Sequence, residues 1–234
     1  MNVVITGASQ GIGKAIAEKY AAEGHNLLLC SKNEKRLLRA AQDISKKNIE
    51  VNILTYPADL SDKEQVKAFA KWILKKNILI DILVNNAGNF LPGSIYNEEE
   101  GVLEKMIEIN LYSAYHLTRA LLPEMMKNKN GHIFNVCSIA ALKAYPNGGS
   151  YSISKYALMG FSKNLREEMK SYDIKVTTVY PGAVYTSSWK ASGVDPKRIM
   201  ETKDIADTIY SISKLSPQAC VEDIVLRPQL GDLP

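Results

Sequence analysis

Short apolar runs alternate along the chain with longer stretches in which apolar residues recur every three or four positions. The runs are NVVIT (2–6), NLLLCS (26–31), EVNILTYPA (50–58), DILVNN (81–86), HIFNVCS (132–138), KVTTVYP (175–181) and EDIVLRP (222–228). Most are apolar on both alternations, the pattern of strands covered on two faces. The helical period predicts helices over about 11–24, 33–47, 62–76, 98–127, 150–171 and 203–214. Asp62 and Asp204 mark two of the starts, where a carboxylate accepts free backbone N–H groups. Strict alternation of this kind predicts an α/β fold: a doubly wound parallel sheet of about seven strands, flanked by helices and joined by right-handed crossovers. No repeat, low-complexity tract or linker interrupts it, so residues 1–234 are expected to form one domain. The stretch 183–200, AVYTSSWKASGVDPKRIM, has no clear period and suits a lid or substrate loop.

Composition narrows the function classes. A chain of 234 residues, 46% hydrophobic and 23% charged, can bury a sizeable core. The net charge of +4 is spread along the chain, which excludes the footprint of a nucleic-acid binder. The densest basic cluster, KNEKRLLR (32–39), includes an acid and reads as a solvated helix face. Cys30, Cys137 and Cys220 are too few and too far apart for a disulfide framework or a zinc site, and His25, His116 and His132 show no ligand spacing. No run approaches the ~18 apolar residues of a membrane span. The N-terminus lacks the charged region and cleavage site of a signal peptide, so a cytoplasmic protein with no membrane or nucleic-acid partner is expected.

The first strand runs directly into TGASQGIG (6–13). Gly7, Gly11 and Gly13 bracket a tight turn that opens a helix, whose free N–H groups and positive dipole end suit a pyrophosphate. The spacing differs from G-x-G-x-x-G, and taken alone it also suits a plain strand-to-helix turn. At the end of the second strand, Ser31 and Lys32 stand where an acid would bind ribose hydroxyls. A hydroxyl and an ammonium suit a ribose 2′-phosphate, which predicts NADP(H) as the cofactor. The plainer alternative is that Lys32 only begins a solvated helix.

Further along, SYSISKYAL (150–158) places Tyr151 and Lys155 four residues apart on one helix face. A phenol normally ionises near pH ~10. A neighbouring ammonium favours the phenolate, so this spacing predicts a lowered Tyr151 value and a proton donor for carbonyl chemistry.

Taken together, TGASQGIG, NNAG (85–88), Asn110, Ser138, YSISK (151–155) and PG (181–182) occur in order, with Ser138 thirteen residues before Tyr151. The chain resembles the short-chain dehydrogenase/reductase family over essentially its full length. The resemblance implies a single Rossmann-type domain and a residue-by-residue set of roles. Tyr151 would be the proton donor, Lys155 its cationic partner and a ribose contact, Ser138 a donor to the substrate oxygen, and Asn110 the anchor of a relay water. The backbone at Ser9, Gln10, Gly11 and Ile12 would hold phosphates. Asp59, followed by Leu60, would meet the adenine, and Asn86, Ala87 and Gly88 would line the adenosine side of the groove. Pro181, Gly182, Val184 and Thr186 would hold the nicotinamide. Many NADP-preferring members carry a basic residue where this chain has Gln10, which leaves Lys32 to discriminate alone.

The substrate pocket is expected from Phe90, Leu91, Ala140, Leu142, Tyr145, Pro146, Tyr185 and Trp189, a lining that suits a flat or apolar carbonyl or alcohol. PGAVYTSSW (181–189) and VEDIVLRPQLGDLP (221–234) resemble bacterial members described as sepiapterin reductases, which reduce a pterin side-chain ketone. A 3-ketoacyl thioester reductase, a 3-hydroxy acid or small-alcohol dehydrogenase, and a non-catalytic NADP(H) sensor are the competing readings. Family members commonly pair as homodimers or homotetramers through the helices expected at about 98–127 and 150–171.

Overall fold

The computed structural model describes residues 1–189 and 193–233; residues 190–192 of the expected 183–200 loop lie outside the described residues, as does Pro234. One parallel sheet carries the fold. Its strands are β1 (Asn2–Thr6), β2 (Asn26–Ser31), β3 (Ile53–Pro57), β4 (Ile82–Asn85), β5 (Gly131–Val136), β6 (Ile174–Pro181) and β7 (Asp223–Leu226). Their order across the sheet is β3-β2-β1-β4-β5-β6-β7, a Rossmann-type α/β arrangement. The order reverses between β1 and β4, and ligands in such sheets bind beyond the carboxyl ends of the strands at that switch. Both the TGASQGIG turn and the NNAG segment leave the sheet there.

Alternate residues of each strand feed two cores. Val3, Ile5, Leu27, Leu29 and Val84 face α1 (Gly11–Ala22) and α7 (Thr202–Ser213). Val4, Leu28, Leu83, Ile133 and Val176 face the other layer, which holds α3 (Lys63–Leu74), α5 (Ser113–Asn128) and α6 (Gly149–Met169). The two cores explain why the central strands read as unbroken apolar runs. The edge strands differ from expectation. Residues 50–58 yield only five strand residues and 222–228 only four, because an edge strand pairs on one side alone and is half-exposed.

Helix starts follow local chemistry. The Asp62 carboxylate accepts the Glu64 and Gln65 N–H groups as expected. Asp204 is not the first residue of its helix; it lies in the first turn and reaches back to accept the Glu201 N–H at 2.9 Å. α2 (Glu34–Ser45) starts at Asn33, whose side chain accepts the Arg36 N–H. The long helix expected over 98–127 also needs correction. Gly101, at φ +82°, blocks its first turn, so α4 (Val102–Ile107) begins later. A π-turn over Glu108–Tyr112 then leads into α5.

β5 also buries His132, whose Nε2 lies 2.7 Å from Thr177 Oγ1 while its ring stacks on Phe134. Burial pulls its pKa down to about 3. The unfolded imidazole protonates near ~6.5. A depressed folded value means that stability is fully present above ~6.5 and is lost as pH falls toward about 3. The urea midpoint is therefore expected to fall steadily between pH ~6.5 and ~4, and less steeply in His132→Gln.

Candidate active site

The glycine turn is built by two chain segments. Gly7 (φ +66°) and Gly11 (φ +58°) take left-handed conformations that suit glycine. A side chain at Gly13 would collide with the Gly7 carbonyl and the Asn86 amide. Asn86 donates from Nδ2 to the Thr6 carbonyl at 2.9 Å, and the Asn86 and Ala87 N–H groups both end on the Thr6 hydroxyl at 2.9 Å. The Asn86 side chain thus braces the turn and is not among the residues that line the cleft beside it. Ala87 and Gly88 line a cleft of about 360 Å³ together with Ser31, Lys32, Asp59 and Leu60. α1 opens at Gly11 with no side-chain cap on its first N–H groups. A helix start of that kind, beside a glycine turn, is a ready anion site. Ile12 turns its side chain into the core behind it.

The rim beyond the turn carries the charge. Ser9 Oγ lies 2.8 Å from Ser31 Oγ, which joins the turn to the end of β2. Lys32 does not stand free: Nζ pairs with Asp59 Oδ2 at 2.6 Å. Burial raises the Asp59 carboxyl, but hydrogen bonds from Lys32 and Ser61 outweigh it and hold the value below the usual range. The pair holds Lys32 beside Asp59 on the wall of that cleft. A different cation reaches the turn. Arg36 Nη1 donates to Gln10 Oε1 at 3.5 Å, and Arg36 and Arg39 line a second cleft of about 260 Å³ with Ser9, Lys14 and Asp43. Sequence reasoning missed Arg36, because KNEKRLLR read as a solvated face. Its signal was the spacing: three residues after the Asn33 cap, the first turn of α2 points back at Gln10.

The reactive groups gather beyond β5. Ser138 follows that strand and caps the short turn Ile139–Ala141, its hydroxyl accepting the Ala140 N–H at 3.1 Å. α6 presents Tyr151 and Lys155. The Tyr151 ring meets Phe90 edge-on, with centroids 4.8 Å apart, and its phenol feels both Ser138 and Tyr145. Lys155 is only 5% exposed; Nζ donates to the Val136 carbonyl at 3.2 Å and lies 5.8 Å from the Tyr151 ring centroid.

Asn110 sits in the π-turn, also buried. Its Oδ1 accepts the Asn89 N–H at 2.8 Å, and its Nδ2 donates to the Asn89 carbonyl and to Ser154 Oγ. Gly88 lies between Asn110 and Lys155: a carbon added there would come within 2.8 Å of Asn110 Oδ1 and 3.5 Å of Lys155 Nζ.

The remaining expected residues divide. Thr186 touches the turn, its methyl 3.4 Å from where a Gly11 side-chain carbon would stand. Pro181 ends β6, the Gly182 N–H donates to the Leu226 carbonyl at 2.8 Å, and Val184 is buried against the Met200 segment. Leu91 joins the larger groove and Ala140 is buried, while Leu142, Tyr145 and Pro146 form an exposed lip near Tyr151. Tyr185 is held through its N–H on the Met200 carbonyl, and Trp189 ends a short turn at Ser187–Trp189. Neither is among the residues lining the two clefts. Among the described residues no cluster of His, Cys, Asp or Glu could hold a metal ion, and no helix is long and apolar enough to cross a membrane.

One expectation is reversed. Burial pushes the Tyr151 phenol above its ordinary value, with only the Ser138 hydroxyl pulling the other way. Burial likewise pulls the Lys155 ammonium down. The ammonium spends its hydrogen bond on Val136, so the simple picture of a cation depressing its i+4 tyrosine fails for the protein by itself. A spectrophotometric titration should therefore find as many phenols ionising up to pH ~10 in Tyr151→Phe as in the parent. Loss of an early-titrating phenol in the variant would restore the simple picture.

The chain has relatives among known proteins. The dehydrogenase/reductase SDR family member 7B of Xenopus laevis is 39% identical over 189 residues, covering 79% of this chain and 58% of that protein. The chain thus spans little more than half the length of that relative. An uncharacterised oxidoreductase of Staphylococcus epidermidis is 31% identical over 228 residues, covering 96% of both chains. Among solved structures, L-sorbose reductase from Gluconobacter frateurii, complexed with NADPH and L-sorbose, superposes with a TM-score of 0.89 at 28% identity, covering 96% of this chain and 94% of that one. The family model for short chain dehydrogenases matches residues 1–196, which take in every strand from β1 to β6 and all of the groups around Tyr151, and the chain belongs to that family.

Proposed function

We propose that the protein is an NADP(H)-dependent oxidoreductase that reduces a small-to-medium carbonyl compound, with Tyr151 as proton donor. The observation that carries this reading is the buried Lys155 ammonium beneath a Tyr151 phenol that also feels the Ser138 hydroxyl. The residues present fit the cofactor. Uncapped N–H groups at the start of α1 suit its pyrophosphate, and Ser9, Ser31 and Arg36 suit a ribose 2′-phosphate. Asp59 and Leu60 suit the adenine side, and Thr186 and Gly182 the nicotinamide side. When bound, the cofactor supplies the hydride.

The chain's own groups handle the proton. As the carbonyl carbon gains the hydride, Ser138 donates a hydrogen bond to the oxygen, and Tyr151 transfers its proton there. The O–H bond of the phenol breaks, the O–H bond of the product alcohol forms, and the negative charge left on Tyr151 faces Lys155. A phenol pushed up by burial keeps its proton at neutral pH, which suits the reducing direction. Lys155 stabilises the phenolate when it forms, and Asn110, across Gly88, lies where a relay water would connect Lys155 to solvent.

For the substrate we favour a flat or apolar carbonyl compound, with a pterin side-chain ketone as the specific candidate. The support is the aromatic edge of Phe90 on Tyr151, the apolar lip of Leu142 and Tyr145, and the likeness of 181–189 and 221–234 to sepiapterin reductases. Half-exposed Tyr112, Ile153 and Tyr156 on the π-turn and α6 support a homodimer or homotetramer, and we propose a cytoplasmic setting for it.

Three measurements test these assignments. Tyr151→Phe is expected to bind NADPH normally and lose about 10²- to 10⁴-fold in kcat; unimpaired turnover would overturn the mechanism. Arg36→Ala is expected to weaken NADPH binding about tenfold or more, with NADH unaffected, and to do so more than Lys32→Ala. Equal NADPH affinity in Arg36→Ala and the parent would return the discrimination to Lys32. NADPH oxidation across sepiapterin, a ketose and a 3-ketoacyl thioester selects the substrate, and activity confined to the thioester would sink the pterin reading.

A further inference from the structure

The acidic run NEEE (97–100) reads as solvated surface, yet one of its members is not free. Glu98 reaches the first turn of α6. Its Oε1 accepts the Ser150 N–H at 2.9 Å, and its Oε2 accepts the Ser150 hydroxyl in a second, short hydrogen bond. Ser150 is 2% exposed and immediately precedes Tyr151.

The contact is part of a wider seam. The Gly93 N–H donates to the Asn147 carbonyl at 3.1 Å, and Ser94 Oγ donates to Asn147 Oδ1 at 2.7 Å. Gly149, at φ +37°, lies so close that a side chain on it would collide with the Glu98 carboxylate and the Gly93 carbonyl. A side-chain carbon on Gly93 would stand 2.7 Å from Glu98 Cγ. Two glycines therefore make room for one carboxylate.

This seam closes a loop around the site. Segment 89–98 is tied at its start to Asn110, through both the N–H and the carbonyl of Asn89. It sets Phe90 against the Tyr151 ring, and at its far end Glu98 grips the residue before Tyr151. Asn110 also holds Ser154, whose hydroxyl donates to the Tyr151 carbonyl at 2.7 Å. Tyr151 is thus fixed from above through Glu98 and from below through Asn110.

We infer that Glu98 is a positioning residue: its carboxylate sets the first turn of α6, and with it the Tyr151 hydroxyl relative to Ser138 and the Phe90 wall. The inference rests on the reading of Tyr151 as proton donor. Glu98 touches neither substrate nor cofactor and acts through Ser150. Two hydrogen-bonding atoms on one planar group are needed, because the backbone N–H and the hydroxyl of Ser150 approach the carboxylate side by side. A glutamine keeps both links, with its carbonyl accepting the N–H and its amide donating to the hydroxyl. An aspartate falls one methylene short, and an alanine breaks both.

The test compares Glu98→Ala, Glu98→Asp, Glu98→Gln and Ser150→Ala in the full chain, with NADPH binding followed by fluorescence and turnover on the best carbonyl of the panel. Glu98→Ala and Glu98→Asp should lose about ten- to a hundredfold in kcat, as expected of a displaced reacting group. Their NADPH affinity and binding stoichiometry should stay within about twofold of the parent. Glu98→Gln should recover most of the turnover. Glu98→Ala combined with Ser150→Ala should be no worse than Glu98→Ala alone, since Glu98→Ala already removes both links.

Parent turnover in Glu98→Ala overturns the inference. So does a Glu98→Gln as impaired as the alanine, which would assign the effect to charge, or a fall in turnover matched by lost NADPH sites, which would assign it to folding. If Glu98→Ala does not fold, Ser150→Ala decides: lowered kcat with intact NADPH binding supports the role, and unchanged kcat removes it. Tyr151→Phe run alongside separates the two readings, because normal turnover in that variant refutes the proton donor whatever the Glu98 series shows.

Discussion

A buried ammonium organises this site. Lys155 is almost wholly removed from water, and an uncompensated charge in such a place costs several kcal/mol. The protein meets that cost with a hydrogen bond to the carbonyl that ends β5, while Gly88 leaves room on the opposite side. The position of the ammonium follows from the strand and not from the tyrosine. A helix that must lay residue 155 on the end of β5 has its rotation fixed, and Tyr151 one turn earlier then has nowhere to point but over Ser138 and against Phe90. The depressed Lys155 and raised Tyr151 are two results of one burial, each group pushed toward its neutral form. Negative charge arriving on the phenol would reverse both pressures at once.

Much of the fold was legible in the sequence because its determinants are local. Seven apolar runs and the period between them give the strands, the parallel order and the crossovers, and the strands' unbroken apolarity reports cores on both faces. The site motifs were legible for a related reason: TGASQGIG and YSISK each hold their chemistry within one or two turns of chain. What escaped the reading is pairwise and distant. Lys32 looked free because Asp59 lies in a different crossover, and Arg36 looked solvated because Gln10 lies in another turn. The Tyr151 shift had the wrong sign for the same reason. Spacing reveals which charges are near along a helix, but burial depends on segments the helix packs against.

The break in the long helix shows how such a distant demand overrides a local one. Asn is a poor residue for a helix interior. Here Asn110 takes a π-turn, and the widened turn lets its side chain satisfy both polar groups of Asn89 and one hydroxyl on α6. The irregular turn is the cost of bringing β4's outgoing segment and α6 to the same amide. Without it, the segment carrying Phe90 would have no fixed distance from Tyr151.

The same logic applies at the opposite end of the groove. The amide of Asn86 occupies the space that side chains at Gly7 and Gly13 would need, and the Thr6 hydroxyl gathers two N–H groups from the NNAG segment. The glycines are thus required twice over: by left-handed backbone at Gly7 and by a neighbour's side chain at Gly13. The turn that would face the phosphates and the segment that would face the adenosine are therefore one rigid unit, formed where β1 and β4 lie side by side. Because β4 also leads, through Asn89 and Phe90, to Asn110 and Tyr151, the glycine turn and the Tyr151 surroundings share a single backbone reference. A displacement of that strand end would move both ends together, and the hydrogen bonds that tie α6 to the segment leaving β4 carry the movement to Tyr151.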